Sequence, residues 1–280
     1  MKNLVLEAGK KVWFITGSSR GFGRVWTEAA LERGDYVVAT ARKLESIASL
    51  NDLYGDKVLT LTLDVTKQDQ VQEAVQKAYK HFGRFDVILN NAGYSLVATI
   101  EEANIEELRA LYETNVWGSV SVIKAVLPIL RSQGFGHILG TSSGLGHLAY
   151  PVIGYYCSSK WAFEAIYESL SKEITQFGLK VTIIEPGAYA TEFGSPESIK
   201  FSNSLEVYAE LKHLFVGGLK EMKQGNPTAT PNAIFTVVDS ETPPLRLFLG
   251  RYNLPEVKET YTKRMQEWED WKTIAEAAQE

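Results

Sequence analysis

The stretch V-W-F-I-T-G-S-S-R-G-F-G, residues 12–23, decides the fold. It joins an apolar run, typical of a buried strand, to a glycine-rich turn and the start of a helix. A plain strand-to-helix turn needs one glycine, whereas this turn holds Gly17, Gly21 and Gly23. Three glycines at these places allow a tight turn, a close approach of the backbone to a phosphate group, and close packing of the helix on the sheet. The stretch therefore predicts a parallel α/β fold with a phosphate-binding turn after its first strand.

Short apolar runs alternate with longer amphipathic segments along the rest of the chain. This alternation is typical of βαβ units, which build a parallel sheet covered on both faces. We therefore expect a single-domain Rossmann fold of the α/β class, with a doubly wound, seven-stranded parallel sheet and helices on both faces. The predicted strands are 12–16, 36–40, 58–63, 85–90, 136–141, 180–185 and 245–250. The predicted helices are 22–33, 44–53, 68–82, 104–131, 155–177, 230–240 (with Thr230 as N-cap) and 255–278.

The composition is that of an ordinary globular domain. The 280 residues, 45% hydrophobic and 22% charged, suffice for one large core over 1–280. A net charge of −5 and a pI near 5.6 give no electrostatic footprint for nucleic acid or an anionic membrane. The single cysteine, Cys157, excludes an internal disulfide, and the sequence shows neither a signal peptide nor an apolar run of about twenty residues. We therefore expect a cytoplasmic protein that binds neither nucleic acid nor membrane.

Two regions depart from the regular alternation. Residues 188–229 are rich in glycine and serine and follow the sixth predicted strand at the carboxyl edge of the sheet. Because ligands of such sheets bind at that edge, we expect this region to be a substrate lid. Residues 251–280 are expected to form a C-terminal helical extension, in which Trp268 and Trp271 cover the core or make a subunit contact.

The end of the second predicted strand indicates which dinucleotide fits the glycine turn. Sites for NAD place a carboxylate about twenty residues after the glycines, where it binds the ribose 2′-hydroxyl. Here the strand closes on Thr40, Ala41, Arg42 and Lys43. Arg42 at this position, with Arg20 in the glycine turn, suits a 2′-phosphate. The sequence therefore favours NADP(H) over NAD(H), although Arg42 and Lys43 also fit as solvated charges at a helix start.

A phenol and an ammonium lie one helical turn apart in Y-C-S-S-K, residues 156–160. Tyr156 and Lys160 share a helix face, so the lysine charge can act on the phenol. A tyrosine pKa of about 10 must fall by roughly three units, or about 4 kcal/mol, before the phenol acts as a base near neutrality. One positive charge ~5 Å away gives about 3 kcal/mol at an effective dielectric of ~20. With Ser143 and Asn115 upstream, the pair predicts proton transfer to or from a carbonyl or alcohol oxygen; alone, it also fits a partly buried tyrosine capped by a lysine.

A set of short motifs runs through the chain in a fixed order. They are T-G-S-S-R-G-F-G (16–23), L-D-V-T (63–66), N-N-A-G (90–93), T-N-V-W-G (114–118), Ser143, Y-C-S-S-K (156–160) and E-P-G-A-Y-A-T (185–191). Tyr156 follows Ser143 by thirteen positions. In this order and spacing, the chain resembles the classical short-chain dehydrogenase/reductase family over roughly residues 11–190.

The resemblance implies a role for each matching position. The implied catalytic residues are Asn115, Ser143, Tyr156 and Lys160. Ser143 binds the substrate oxygen, the backbone carbonyl of Asn115 holds a water linked to the lysine, and Lys160 also binds the nicotinamide ribose. Asn90 helps to shape the cofactor groove. The implied cofactor-binding residues are Gly17, Ser19, Arg20, Gly21, Phe22, Gly23, Arg42, Asp64, Val65, Asn91, Ala92, Gly93, Tyr156, Lys160, Pro186, Gly187 and Thr191.

The expected chemistry is that of a carbonyl reductase: NADPH-dependent reduction of a ketone or aldehyde, or oxidation of a secondary alcohol in reverse, without a metal. The tail P-P-L-R-L-F-L-G-R (243–251) resembles that of hydroxysteroid and retinol dehydrogenase-like members, which implies a lipophilic substrate. The expected substrate-pocket residues, several of which alternatively pack beneath the lid, are Tyr94, Leu145, His147, Tyr150, Tyr189 and Phe193. The resemblance also implies a homo-oligomer, a dimer or tetramer, formed through helices 104–131 and 155–177.

Two other functions are open on the same fold, a non-catalytic NADP(H)-sensing protein and a halohydrin dehalogenase-like enzyme. A sensor would not need all of Ser143, Tyr156 and Lys160. The dehalogenase pattern has arginine where Lys160 stands and lacks the full glycine turn. Sugar epimerases of the extended family need a sizeable second domain, for which this chain has no room. The intact residue set therefore favours the reductase.

Overall fold

A parallel sheet forms the centre of the protein, whose computed structural model describes residues 6–192, 195 and 198–279. Within these residues the strands are β1 (Val12–Ile15), β2 (Tyr36–Ala41), β3 (Val58–Thr62), β4 (Val87–Asn90), β5 (Ser95–Val97), β6 (Gly136–Thr141), β7 (Leu179–Pro186), β8 (Ile199–Phe201) and β9 (Arg246–Leu249). Seven of them form one sheet in the order β3-β2-β1-β4-β6-β7-β9, in which every neighbouring pair is parallel. The prediction of a doubly wound seven-stranded sheet is confirmed, because the strand order runs outward in both directions from β1.

Helices cover both faces of this sheet. They are α1 (Gly21–Glu32), α2 (Ser49–Tyr54), α3 (Gln68–Phe82), α4 (Ile105–Tyr112), α5 (Gly118–Gln133), α6 (Gly154–Ile174), α7 (Ala209–Glu221), α8 (Pro231–Asp239), α9 (Asn253–Asp270) and α10 (Lys272–Ala277). Because successive side chains of a strand point to opposite faces, Phe14 joins a core cluster with α3, α5 and α6, while Trp13 and Ile15 join one with α1 and α8. Within the described ranges, no helix is both long and apolar enough to cross a membrane.

Most predicted boundaries agree with the structure to within two residues, and those of α3 and β6 agree fully. Three of the predicted helices are not continuous α-helices, namely 44–53, 255–278 and 104–131. The predicted helix 44–53 is a 3₁₀ turn, Leu44–Ile47, followed by α2. The predicted helix 255–278 is broken at Trp271 into α9 and α10. Few residues of these two segments are buried, so their apolar pattern does not mark where the helix breaks.

The predicted helix 104–131 is interrupted. A π-helical turn, Glu113–Trp117, separates α4 from α5. Within this turn Asn115 is buried, and its side chain accepts the N–H of Tyr94 at 3.0 Å and donates to the Tyr94 carbonyl at 2.9 Å. These bonds tie the turn to the backbone that follows β4, a tertiary constraint that an amphipathic pattern does not reveal. Single π-helical turns of this kind are frequent at functional sites.

Thr230 lies at the start of α8, as predicted, but its side chain does not cap the helix. Its hydroxyl accepts the indole N–H of Trp26 at 2.8 Å and donates to the carbonyl of Pro227 at 2.7 Å. The Thr230 hydroxyl therefore bonds Trp26 of α1 instead of an N–H group in the first turn of α8. This bond joins two helices on the same face of the sheet.

Residues 188–229 hold more regular structure than their sequence predicts. β8 pairs in parallel with β5, and α7 follows it. Both strands have three residues, too few for a periodic signal. The pair joins this region to the segment that follows β4, so the region lies over the carboxyl edge of the sheet.

Glu102 anchors the same region to the body of the protein. Its buried carboxylate accepts the N–H groups of Thr99 and Leu205, each at 2.9 Å, and lies 3.0 Å from Nζ of Lys212. Burial raises the pKa of Glu102, but the hydrogen bonds from these three residues outweigh it and lower the pKa to about 2. The anchor is therefore charged at neutral pH.

Gly140 of β6 lies beneath α6, so its replacement tests how sheet and helix pack. A Cβ at Gly140 would overlap Cε1 of Tyr167 and lie 2.6 Å from Cζ of Phe163. We expect Gly140→Ala to lower the free energy of unfolding by about 1–3 kcal/mol, the usual cost of overpacking a core. Gly217→Ala in α7 is the control, because nothing lies within 4 Å of a Cβ there and helical alanine is favoured over glycine. The midpoints of urea unfolding measure both, and an unchanged midpoint for Gly140→Ala would contradict this packing.

Candidate active site

The glycine turn lies between β1 and α1 at the carboxyl edge of the sheet, with Ser19 inside it. Gly17 and Gly21 have φ angles of +73° and +55°, which glycine adopts without strain. A Cβ at Gly23 would overlap the carbonyl oxygen of Gly17 and lie 2.5 Å from Nδ2 of Asn91. The lack of side chains therefore lets α1 begin directly against the strand ends. The N–H groups of its first turn point toward this edge of the sheet.

A carboxylate lies at the N-terminus of α1. Oε2 of Glu192 accepts the N–H of Gly21 at 2.9 Å. Beside it, Nε of Arg20 donates to the hydroxyl of Ser198 at 3.1 Å. Helix N-termini combine free N–H groups with partial positive charge, so they bind carboxylates and phosphates alike. The start of α1 is therefore able to hold an anion, and Glu192 holds that place here.

The strand ends beside this turn present the groups expected around an adenosine. Arg42 and Lys43 are exposed immediately after β2. Asp64 follows β3, and its Oδ1 accepts the N–H of Thr66 at 3.0 Å and the hydroxyl of the same residue at 2.8 Å. Val65 is buried against α5. These contacts close the turn after β3, so the Asp64 carboxylate is held at the strand end.

The N-N-A-G segment is tied to the end of β1. Oγ1 of Thr16 accepts the N–H groups of Asn91 and Ala92 at 2.9 and 3.1 Å. Nδ2 of Asn90 donates to the phenol oxygen of Tyr167 on α6 at 2.8 Å. The segment therefore links the glycine turn on one side to α6 on the other.

Tyr156 and Lys160 are both buried on α6. Nζ of Lys160 donates to the carbonyl of Thr141, at the end of β6, at 2.8 Å. It lies 5.7 Å from the centre of the Tyr156 ring. Burial lowers the pKa of Lys160 to about 8, although the carboxylate of Glu164 raises it. The ammonium charge is therefore held close to the phenol at neutral pH.

The pKa of Tyr156 moves in the direction opposite to the one that the sequence argument gave. Burial raises it well above 10, and a hydrogen bond with Ser143 lowers it only in part. The ring packs in a small apolar cluster with Leu145, Ile153 and Phe215, and this enclosure disfavours the charged phenolate. The phenol is therefore a neutral donor in this structure.

Asn115 and Gly93 complete the surroundings of the lysine. Besides its bonds to the backbone, Nδ2 of Asn115 donates to the hydroxyl of Ser159 at 3.1 Å. A Cβ at Gly93 would lie 3.2 Å from Oδ1 of Asn115 and 3.7 Å from Nζ of Lys160. The structure therefore brings Asn115, Lys160 and Gly93 together. Tyr156 lies one helical turn from Lys160 on α6.

The C-terminal segment holds two loops of the site in place. Gly187 follows Pro186 at the end of β7, and its N–H donates to the carbonyl of Leu249 in β9 at 3.0 Å. The side chain of Asn253, at the start of α9, lies against both Gly144 and Gly187, since a Cβ at either glycine would be 2.7 Å from it. The loop after β6 and the loop after β7 are thereby fixed relative to each other.

Two of the predicted substrate residues lie beside this set. Leu145 packs in the apolar cluster of Tyr156, and Tyr94 is bonded through its backbone to the π-helical turn. The ring of Tyr94 lies 4.3 Å from Nζ of Lys200 in β8. Phe193 lies outside the described residues. Thr191, predicted to border the nicotinamide, lies near the glycine turn, where a Cβ at Gly21 would be 3.7 Å from it.

The other predicted pocket residues make contacts elsewhere. Tyr189 packs on Phe22 of the glycine turn, with ring centres 5.2 Å apart. Tyr150 donates a hydrogen bond to Glu256 of α9. His147 is buried and contacts Tyr261 of α9 through Nδ1 at 3.1 Å. In these positions the three side chains join the site to the glycine turn and to α9.

A buried ion cluster that the sequence did not predict lies behind the site. Nε of Arg246 lies 3.0 Å from Oε2 of Glu164 and 3.5 Å from Oε1 of Glu185, and Nε2 of His147 lies 3.2 Å from that Oε1. Ligand atoms of the histidine and both glutamates lie within 4.8 Å of one another, a spacing that could hold a metal. The guanidinium of Arg246 already lies against both carboxylates, so the arrangement is that of an ion network. Its one sequence signal is that Glu164 follows Lys160 by four residues.

Known proteins are similar to this chain in sequence. Residues 11–200 match the family described as short chain dehydrogenase. The chain is 40% identical over 244 residues to oxidoreductase BOA17 of Botryotinia fuckeliana, covering 86% of this chain and 89% of that protein. It is 34% identical over 244 residues to the 3-ketodihydrosphingosine reductase of Bacteroides thetaiotaomicron, covering 86% and 88%. It is 35% identical over 208 residues to the NADPH-dependent 3-dehydrocapnine reductase of Ornithobacterium rhinotracheale, covering 70% and 74%.

A solved structure agrees with the fold over nearly the whole chain. The crystal structure of a short-chain dehydrogenase from Streptomyces avermitilis has a TM-score of 0.90 at 34% identity and covers 97% of this chain and 99% of that one. The match spans the glycine turn, the seven-stranded sheet and the elements that carry Tyr156 and Lys160. This chain therefore belongs to the short-chain dehydrogenase/reductase family of oxidoreductases.

Proposed function

We propose that this oxidoreductase reduces a ketone or aldehyde with NADPH and, in reverse, oxidises the corresponding secondary alcohol. The observation that carries the proposal is the meeting of Ser143, Tyr156 and Lys160 at the sheet edge that also holds the anion site of α1. A dinucleotide needs both features at one edge. The anion site of α1 would hold its phosphates, and the three side chains would face its reacting end.

Each side chain of the set has a distinct task in the proposed reaction. A nicotinamide cofactor, when bound, supplies the hydride. Ser143 and Tyr156 hold the carbonyl oxygen through their hydroxyl groups, and Tyr156 gives its proton to that oxygen as negative charge develops there. Lys160 places a positive charge beside the phenol, which stabilises the phenolate left behind. Asn115 fixes the π-helical turn, and its backbone carbonyl helps to hold a water that links the active site to Lys160.

The pKa values favour reduction. Burial raises the pKa of Tyr156, so the phenol keeps its proton at neutral pH and can act as an acid. Lys160, with a pKa lowered by burial to about 8, stays largely charged under the same conditions. The pair is thus poised to give a proton rather than to take one.

Two arginines support NADP(H) as the cofactor. Arg42 is exposed after β2, where no carboxylate stands among residues 40–43 to bind a ribose 2′-hydroxyl. Arg20 lies in the glycine turn beside the anion site. A guanidinium matches the planar, bidentate contacts that a 2′-phosphate makes. The relative from Ornithobacterium rhinotracheale, named as NADPH-dependent, agrees with this choice.

The apolar surroundings of Tyr156 support a lipophilic substrate. Leu145, Ile153 and Phe215 pack in its cluster, and Phe215 belongs to α7. Residues 188–229 thereby reach the proposed reaction centre, as a substrate lid must. The name of the Bacteroides thetaiotaomicron relative, 3-ketodihydrosphingosine reductase, is that of a ketone-reducing enzyme.

A cytoplasmic homo-oligomer completes the proposal. Trp117, beside α5, is half exposed, and Trp161, on α6, is about two-fifths exposed. Large exposed aromatic side chains on helices that the family resemblance assigns to subunit contacts support association through that face. Sedimentation equilibrium distinguishes a monomer from a dimer or tetramer.

Tyr156→Phe removes the proposed proton donor and keeps the ring. We expect the rate of ketone-dependent NADPH oxidation, screened over aryl ketones, ketoesters, steroids and aldehydes, to fall by about 10²–10⁴-fold. NADPH binding, followed by cofactor fluorescence, should stay nearly unchanged. Tyr155→Phe is the matched control, because the Tyr155 hydroxyl bonds the carbonyl of Ile100 at 2.8 Å, outside the site. Full activity in Tyr156→Phe would reject the role of the phenol.

Arg42→Ala tests the cofactor preference. A charge-assisted hydrogen bond contributes about 1.5–3 kcal/mol, so we expect KM for NADPH to rise by roughly tenfold or more. KM for NADH should change little, since NADH has no 2′-phosphate. Arg109→Ala, which removes an exposed arginine paired with Glu106, is the control. Wild-type protein that uses NADH as well as NADPH would overturn the assignment.

Glu192→Gln tests the anion site at α1. In the structure the Glu192 carboxylate holds the N–H of Gly21 that a cofactor phosphate would need. We therefore expect the neutral variant to bind NADPH several-fold more tightly at low salt, with a smaller gain at high salt because the charge repulsion is screened. Calorimetric titration measures both, with the exposed Glu206→Gln as control. Weaker binding by Glu192→Gln would show that the carboxylate helps the cofactor instead.

A further inference from the structure

Tyr156, Lys160 and Glu164 follow one another at four-residue intervals along α6, so they share one face of that helix. Lys160 is buried, and its bond to the carbonyl of Thr141 joins it to a neutral group. A buried ammonium that lacks a countercharge gives up its proton. The carboxylate of Glu164, one turn further along, is the charge that opposes this loss.

Glu164 is held in place by its own contacts. Oε2 lies 3.0 Å from Nε of Arg246, and a Cβ at Gly146 would lie 2.8 Å from its Cγ. Burial and the charge of Glu185 raise the pKa of Glu164 above its ordinary value, and the Ser142 hydroxyl, His147 and Arg246 offset only part of this rise. Loss of the arginine would therefore drive the carboxyl group further toward its neutral form.

The charges of the cluster match in number when Lys160 is protonated. Among the described residues, the charged or titratable groups that face the cluster are Lys160 and Glu168 from α6, His147 from the turn after β6, Glu185 from β7, Arg246 from β9, and Tyr261 and Arg264 from α9. Glu168 is partly exposed, whereas Glu164 and Glu185 are buried. Apart from His147 and Arg264, which donates to the His147 carbonyl, the two buried carboxylates face two cations, Lys160 and Arg246. Loss of Glu164 leaves Lys160 as an unmatched charge.

We propose that Glu164 is a positioning residue for this reaction: its carboxylate, held by Arg246, is the countercharge that keeps Lys160 protonated beside Tyr156. The proposal rests on the proposed function, because it assigns the purpose of that charge. In this proposal the buried network acts on the phenol of Tyr156: Arg246 of β9 holds Glu164, and Glu164 keeps Lys160 charged. The network thereby sets the pH range over which the site works.

The test compares Glu164→Gln with Glu168→Gln. Both variants remove a carboxylate from Arg246, but Glu168 is two helical turns from Lys160 and partly exposed. Because burial raises the pKa of Tyr156 and lowers that of Lys160, we expect the alkaline limb of the ketone-reduction profile to report on Lys160. We expect Glu164→Gln to move that limb at least about one pH unit toward acid, the size expected for one charge a helical turn away. Glu168→Gln should keep the wild-type limb.

A second readout does not depend on turnover. The rate at which a small reductive-alkylation reagent labels Lys160, measured by peptide mass spectrometry against pH, rises as the amine loses its proton. We expect its midpoint to fall with the kinetic limb in Glu164→Gln and to stay in place in Glu168→Gln. If no ketone is reduced by the wild type, the proposed function fails, while the labelling curve still decides the role of Glu164.

Two further variants keep the test decisive if Glu164→Gln does not fold. Glu164→Asp keeps the charge and should restore a midpoint near that of the wild type. Arg246→Gln drives Glu164 toward its neutral form and should lower the Lys160 midpoint, which gives the answer if Glu164→Gln does not fold. A labelling midpoint that is the same in the wild type and in every folded variant at these two positions overturns the proposal. An equal shift in Glu168→Gln overturns it as well.

Discussion

The burial of one ammonium group is the constraint on which the site depends. Lys160 lies inside the protein, so its charge must be matched by nearby groups and its position must be fixed by them. The carbonyl of Thr141 fixes Nζ from the end of β6, and the Asn115 turn and Gly93 border it from the neighbouring segments. The carboxylate of Glu164 provides opposite charge from the same helix. Strand ends, a helix and a π-helical turn therefore meet at this side chain.

Much of this arrangement could be predicted from the sequence, because it rests on local patterns. The glycine turn needs positive φ angles at Gly17 and Gly21 and the lack of a side chain at Gly23. Glycine meets each of these requirements, so the sequence itself shows them. Buried strands leave apolar runs, and a four-residue spacing puts Tyr156 and Lys160 on one face. Parallel strands then bring these segments to one edge, since their carboxyl ends point the same way.

The remainder depends on tertiary contacts that local patterns do not carry. The π-helical turn at Asn115 exists because its amide bonds the backbone of Tyr94. β8 has three residues and is defined by its partner, not by its composition. The raised pKa of Tyr156 follows from enclosure by apolar side chains, which the spacing to Lys160 does not show. The pairing of Arg246 with α6 joins residues from distant parts of the chain, so no window of sequence contains it.

We propose that this site passes hydride from a nicotinamide directly to a carbonyl carbon while the protein supplies the proton to oxygen. Reduction of an accepted ketone with NADPH that carries deuterium on one face of C4 distinguishes direct transfer from exchange with solvent. For direct transfer we expect one deuterium per product molecule, bound to the new carbinol carbon, from one of the two labelled faces only. Reduction in heavy water with unlabelled NADPH should leave that carbon without deuterium. Solvent deuterium at the carbinol carbon, or no transfer from either labelled face, would rule out direct hydride transfer.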